Sequence, residues 1–123
     1  MSVRLTTRES RGVTIIDAAG KLTLGDATGA LRTTIRQLID AGSRRIVLNM
    51  ADLSYIDSSG LGELISAHTS AAVAGGEIKL LNLSRRVHDL MKLTKLLTVF
   101  ESFDDETAAI DSFSGAKPVA TGN

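Results

Sequence analysis

The chain has no cysteine and is poor in aromatic residues and proline. Its 123 residues include no cysteine, no tryptophan, one proline and only 3% aromatic residues. The missing cysteines exclude disulfides, thiolate chemistry and cysteine-based metal sites, and they are compatible with a reducing cytoplasm. Because large rings are scarce, leucine, isoleucine, valine and alanine must fill the hydrophobic core.

Neither an excess of charge nor a long apolar run is present. Lys+Arg and Asp+Glu both number 14, which gives a formal net charge of zero. Since binding to nucleic acid requires a cationic surface, we expect no such partner and interpret the pairs Arg44-Arg45 and Arg85-Arg86 as solvated surface. No run approaches the ~20 apolar residues of a membrane span, and MSVRLTTRES lacks the apolar stretch of a signal peptide. The sequence predicts a soluble cytoplasmic protein with no membrane partner.

The apolar periodicity changes repeatedly between that of strands and that of helices. Two strands are predicted around a turn at Arg11-Gly12, followed by strands in RRIVLNM, EIKLLNL and LLTVFESF. Four helices are predicted at residues 26–42, 58–74, 84–93 and 104–113, the third with Ser84 as its N-cap. This alternation predicts an α/β fold with a mixed, mostly parallel sheet of about five strands packed against about four helices.

The length suits a single domain, which we place at residues 1–113. The tail at residues 114–123 contains small and polar residues and the only proline, so we expect it to be mobile.

The most informative stretch is DSSGLG at residues 57–62, which follows the strand RRIVLNM after a short polar connection and begins a helix. One serine is enough to cap a helix, so capping by Ser58 or Ser59 leaves the second hydroxyl unexplained. Gly60 and Gly62 each weaken a helix by up to ~1 kcal/mol, which favours a first turn whose backbone another protein approaches. The predicted buried stripe of this helix comprises Leu61, Leu64, Ile65, His68 and Ala72.

A nucleophilic serine is disfavoured at this junction. The serine of a nucleophile elbow needs glycine two residues before it and two after it, but Ile56 precedes Ser58 and Asp57 precedes Ser59. His68 lies ten residues beyond Ser58, about 15 Å along a helix, and is better interpreted as a packed core or boundary residue. We therefore expect no catalytic residue.

Phosphate loops and metal sites are also disfavoured. DSSGLGEL lacks the lysine of a P-loop, and the spacing of Asp52, Asp57 and Glu63 matches no metal loop. We expect no cofactor and no metal, although weak nucleotide binding at the helix N-terminus remains open.

The segment IVLNMADLSYIDSSGLGELISA resembles the signature of STAS domains, specifically the bacterial anti-sigma factor antagonists. The resemblance covers residues 3–113, with GKLTL similar to the family's Gly-x-Leu segment and GGEIKLLNLSRRVHDLMKLTKLLTVFESFDDETAAI similar to its C-terminal half. Two positions depart from the pattern. Thr23 stands where members often carry an acidic residue, for which Asp26 is a shifted substitute, and Lys95 lies where the family tends to have glycine.

The resemblance implies a regulator that switches between partners and is not itself an enzyme. The serine directly after the aspartate, here Ser58, would be phosphorylated by an anti-sigma factor with serine kinase activity. The unphosphorylated form would bind that partner and free a sigma factor, and a PP2C-type phosphatase would reset the switch. The expected partner-binding residues are Thr23, Asp26, Asp57, Ser58, Ser59, Gly60, Leu61 and Gly62. The alternative is a STAS scaffold or a regulatory subunit of another assembly, such as a stress-signalling complex or a transport system.

Overall fold

The computed structural model describes residues 3–23 and 26–113, and side chains are described for all of these except residues 26–28. The elements in chain order are β1 Arg4–Ser10, β2 Val13–Leu22, α1 Asp26–Asp40, β3 Arg45–Ile56, α2 Ser58–Val73, β4 Glu77–Leu81, α3 Arg85–Leu93, a 3₁₀ turn Leu96–Thr98, β5 Ser102–Phe103 and α4 Glu106–Asp111. The five strands form one sheet in the order β1-β2-β3-β4-β5, in which only β1 and β2 are antiparallel. The predicted fold class is confirmed.

The sheet is covered on both faces, which explains the continuous apolar runs of its central strands. Ile15 and Ile16 are adjacent in β2 and both fully buried, but they belong to different hydrophobic clusters. Ile16 lies in the large cluster that includes residues of α1, α2 and α3, whereas Ile15 packs in a smaller cluster with Ala109 and Ile110 of α4. The chain thus forms three layers, with three helices on one face and α4 on the other.

A polar network holds α4 to the sheet. Arg8 donates hydrogen bonds to Asp17 in β2 and to Glu106 in α4, and Asn49 donates to Asp17 at 2.8 Å. The bonds from Arg8 lower the pKa of both carboxyl groups, and these carboxylates in turn raise the pKa of Arg8. Lys79, whose side chain is 1% exposed, adds a second connection because its Nζ donates to Oγ of Ser112, just after α4, at 2.8 Å.

Strand β3 is longer than the sequence predicts. The residues expected to form a polar connection continue the strand to Ile56, where they pair with the end of β2. The pairing is irregular, with register shifts between Asp17 and Ala19 and between Gly20 and Lys21. These irregularities disturb the alternation of apolar residues, which is why the end of β3 does not read as a strand.

The predicted strand LLTVFESF is wrong for most of its length. Its first part is the 3₁₀ turn, and only Ser102 and Phe103 pair with β4. Leu96 and Phe100 are buried at a helical spacing, which bends this segment over the core. Lys95, just before the turn, has φ 66°, a left-handed conformation that favours glycine.

The buried stripe of α2 is shifted from the predicted one. Leu61 and Leu64 are buried as expected, but Ala67 and Ala71 complete the stripe. Ile65 is 42% exposed and Ala72 is also exposed, so these two predictions are wrong. His68 is half-buried with its ring edge-to-face against Phe100 at 5.2 Å, which confirms its interpretation as a boundary residue.

No helix in the two described ranges is both long enough and apolar enough to cross a membrane. The tail predicted to be mobile, residues 114–123, lies outside the described residues.

Candidate functional site

The candidate site lies where the central parallel strands end. Strands β2, β3 and β4 run in the same direction, so their carboxyl ends meet at one edge of the sheet. Thr23 follows β2, Asp57 follows β3, and Arg85 begins α3 four residues after the end of β4. The edge therefore brings together three chain segments, two of which contain predicted site residues.

Asp57 caps α2, and neither serine does. Its backbone is extended, with φ −110° and ψ −174°, and its Oδ1 accepts a hydrogen bond from the Gly60 N–H at 2.9 Å. Its carbonyl oxygen accepts from the Leu61 N–H, also at 2.9 Å. The expectation that Ser58 or Ser59 caps the helix is wrong, because β3 ends at Ile56 and leaves Asp57 as the residue between strand and helix. Aspartate is as good a cap as serine.

The two hydroxyls have different exposure. Ser58 is exposed, whereas Ser59 is half-buried. Within the described part of the chain, no hydrogen bond joins either hydroxyl to another residue. Since Asp57 provides the cap, neither hydroxyl is needed to start the helix, and Ser58 is an exposed residue at the first helical position.

Gly60 is required by packing inside the domain. A Cβ atom on Gly60 would lie 2.3 Å from the Leu22 carbonyl oxygen and 2.7 Å from Cγ1 of Ile56. The expectation that Gly60 leaves room for another protein is therefore wrong, since the end of β2 occupies that space. Leu61, also predicted as a partner contact, is 5% exposed and packs in the core. Gly62 differs from both, because it is exposed and a Cβ there would meet nothing within 4 Å.

The close approach at Gly60 also places the segment after β2 beside α2. The Leu22 carbonyl oxygen accepts a hydrogen bond from the Asp57 N–H at 3.3 Å. Thr23 follows Leu22 directly and is half-buried, so the structure brings it next to the first turn of α2. Asp26 is the first residue of α1, but its side chain lies outside the described residues.

An ion pair joins α1 and α2 beyond the first turn. Arg32 binds Oε2 of Glu63, whose side chain is only 8% exposed. The other carboxylate oxygen, Oε1, is buried without a hydrogen-bond partner. Glu63 lies close in sequence to Asp52 and Asp57. Within residues 3–23 and 26–113, no three His, Asp or Glu side chains are grouped so that they could hold a metal ion.

A groove that the sequence did not predict lies on the β4 side of the junction. It measures about 640 Å³ and lies between Tyr55 and Ile56 at the end of β3 and several residues of α3. Arg85 and Arg86 are exposed in the first turn of that helix, and Leu93 at its end is 81% exposed. The available signal was a basic pair directly after the N-cap Ser84, in a first turn without an acidic residue.

Comparisons with known proteins identify the family and agree with the fold. A family model described as the STAS domain matches residues 4–109. The anti-sigma F factor antagonist of Paenibacillus polymyxa is 26% identical over 115 residues, which are 89% of this chain and 94% of that protein.

Two solved structures give similar matches. The anti-sigma factor antagonist SpoIIAA in its unphosphorylated form is 26% identical, with a TM-score of 0.66 over 93% of this chain and 99% of that one. The Bacillus cell fate determinant SpoIIAA in the phosphorylated form is 25% identical, with a TM-score of 0.70 over 90% of this chain and 100% of that one.

Proposed function

The chain belongs to the STAS domain family, and we propose that it is an anti-sigma factor antagonist that switches between partners. In its unphosphorylated form it binds an anti-sigma factor with serine kinase activity and so releases a sigma factor. Phosphorylation of Ser58 ends this binding, and a PP2C-type phosphatase restores it. The protein is a substrate and a binding module in this scheme, not an enzyme.

The observation that carries this proposal is the combination of an exposed Ser58 with a cap supplied by Asp57. A phosphate adds about −1.5 to −2 charge, and the N-terminus of a helix is the end that favours negative charge. Because the Ser58 hydroxyl takes no part in the cap, its modification leaves the hydrogen bonds at the helix start in place. The fold therefore tolerates the phosphate.

The switch then acts at the interface. A partner that covers Ser58 must remove the phosphate from water, and leaving a charge buried and unpaired at an interface costs about 2–5 kcal/mol. Since each ~1.4 kcal/mol is a tenfold change in affinity, one phosphate is enough to release the partner without rearranging the domain.

We place the centre of the binding surface on the exposed and half-buried residues of this edge. These are Thr23, Asp57, Ser58, Ser59 and Gly62. Gly60 and Leu61 support this surface from inside, and Asp26, also predicted as a contact, belongs to the adjacent start of α1.

The test begins by identifying the partner. Tagged Ser58→Ala protein, which cannot be phosphorylated at this position, is purified from cells of its own species, and the proteins bound to it are identified by mass spectrometry. We expect an anti-sigma factor with a serine kinase domain. Recovery of components of another multiprotein assembly in its place would favour the scaffold alternative.

The second step uses the purified partner. Incubation with the kinase and ATP should add one phosphate to the wild-type protein, at Ser58, and should release the complex. A phosphate found on Ser59, Thr69 or Ser84 would contradict the assignment, as would a phosphorylated Ser58 that leaves the affinity unchanged.

A further inference from the structure

Helix α3 begins with two positive charges at the end where the helix dipole is itself positive. Arg85 and Arg86 are exposed in its first turn, and no acidic residue accompanies them there. Within the described residues neither arginine forms a salt bridge. The cap is supplied by Ser84, whose side chain accepts from the Val87 N–H at 3.2 Å, so the arginines are not needed to start the helix. They concentrate positive charge at an unfavourable position, and no acidic side chain of the described residues pairs with them.

These arginines line the groove described above, whose walls are largely apolar. Tyr55 and Ile56 form one side, and Leu90 and Leu93 lie on the other. Tyr55 is 39% exposed and Leu93 is 81% exposed, so both present apolar surface to solvent. Because Ile56 is followed directly by Asp57 and Ser58, the groove opens beside the phosphorylation position.

We infer that this groove is a second contact surface for the same anti-sigma factor, and that it binds an amphipathic acidic segment of that partner. Carboxylates of the segment face Arg85 and Arg86, and an apolar side chain lies between Tyr55 and Leu93. The acidic chemistry follows from charge complementarity, since the groove also contains Asp89 but keeps an excess of positive charge. This inference rests on the proposed function for the identity of the partner.

The position of the groove also connects it to the switch. Ile56 and Arg85 both line the groove, and Asp57 and Ser58 directly follow Ile56, so the groove connects the start of α2 with the start of α3. A phosphate on Ser58 lowers the positive potential that Arg85 and Arg86 provide to the partner's carboxylates. Phosphorylation therefore weakens binding both at the start of α2 and in the groove.

The electrostatic half is tested by charge reversal, with the purified anti-sigma factor identified above as the probe. R85E and R86E are compared with R36E, which makes the same charge change at an exposed position of α1. We expect each α3 variant to weaken binding several-fold and the double variant more than about tenfold, with a smaller loss at high salt. R36E should bind within about twofold of wild type. Because glutamate suits the first turn of a helix, R85E and R86E should melt no lower than wild type, unlike variants of a structural residue.

The apolar contact in the groove is tested with a closely matched control. Leu93 is 81% exposed at the end of α3, and Val73 is 84% exposed at the end of α2, outside the groove. Leu93→Ser and Val73→Ser should both leave the melting temperature nearly unchanged, but only Leu93→Ser should weaken binding.

Four outcomes decide the inference. If the R85E/R86E double variant binds with wild-type affinity and still loses its partner when Ser58 is phosphorylated, the inference about the groove is overturned. The proposed function would then remain intact. An equal loss in R36E would mean that net charge alone guides the partner, which would also overturn it. Failure of wild type and Ser58→Ala to bind any anti-sigma factor would remove both proposals. Restoration of R85E binding by reversing one acidic residue of the partner would establish the contact.

Discussion

Replacement of Gly60 by alanine tests the close approach that assembles the site. The added Cβ would lie 2.3 Å from the Leu22 carbonyl oxygen and 2.7 Å from Cγ1 of Ile56, whereas real Cβ atoms almost never approach heavy atoms within 3.0 Å. The Ile56 side chain can adjust, but the Leu22 oxygen belongs to the backbone and also accepts from the Asp57 N–H. The end of β2 must therefore move away from α2 by more than half an ångström.

The size of the effect follows from two opposing contributions. Overpacking of a buried site costs about 1–3 kcal/mol, and a clash with backbone lies toward the upper end. Alanine in place of glycine favours a helix by up to ~1 kcal/mol, which offsets part of that cost. We expect Gly60→Ala to lower the free energy of unfolding by about 1–2 kcal/mol, and Gly60→Val to lower it further.

Gly62 provides the control for this prediction. A Cβ on Gly62 would meet nothing within 4 Å, so Gly62→Ala should keep the gain in helix propensity and raise stability by up to ~1 kcal/mol. Urea denaturation of the two variants and wild type measures the differences in the free energy of unfolding, provided that the free energy falls with urea concentration at the same slope in all three. If Gly60→Ala is as stable as Gly62→Ala, the Leu22 carbonyl does not lie against the first turn of α2, and the reasoning that places Thr23 beside Ser58 fails.

Three further predictions concern the cap, the switch and the dependence of stability on pH. Asp57→Ala should lower the free energy of unfolding by about 0.5–2 kcal/mol, whereas Ser58→Ala should stay within about 0.5 kcal/mol of wild type in the same denaturation assay. Ser58→Asp should stay within ~1 kcal/mol of wild-type stability yet bind the anti-sigma factor more weakly by calorimetry, while Ser58→Ala should bind normally; the reverse order would contradict a switch. Arg8 lowers the folded-state pKa of Asp17 and Glu106. The stability that these ion pairs contribute is therefore present above the unfolded pKa values of the two carboxyl groups and is lost as pH falls through their folded pKa values. Wild type should therefore lose stability on acidification more steeply than Arg8→Met, and equal slopes would contradict this.

Local patterns were enough to predict most of the architecture. The alternation of strand and helix periodicity predicts the five strands and four helices in order, and family membership, predicted from the motif at residues 57–62, is confirmed. Ser84 is the N-cap of α3 as predicted, since the cap signal and the helix lie within a few consecutive residues. Such features depend on neighbouring residues, which a single sequence displays directly.

The errors arose where distant segments meet. The role of Gly60 depends on the Leu22 carbonyl, 38 positions earlier in the chain, so its sequence neighbours could not reveal it. The groove unites the end of β3 with α3 across an intervening helix and strand, and its arginines therefore appeared only as solvated charge. The choice of Asp57 over the serines depended on where β3 ends, and the register shifts between β2 and β3 obscured that point.

Because Asp57 and not a serine caps α2, the hydroxyls of Ser58 and Ser59 are not needed for the stability of the helix start. A capping serine would connect phosphorylation to the stability of α2, because the modified oxygen would have to give up the backbone N–H that it accepts. With Asp57 accepting from the Gly60 N–H, the phosphorylation of Ser58 that we propose would leave this hydrogen bond in place. Asp57 therefore caps α2 and Gly60 allows the end of β2 to lie against it. Under the proposed function, a charge added at the exposed Ser58 would then act on the binding partner and not on the helix.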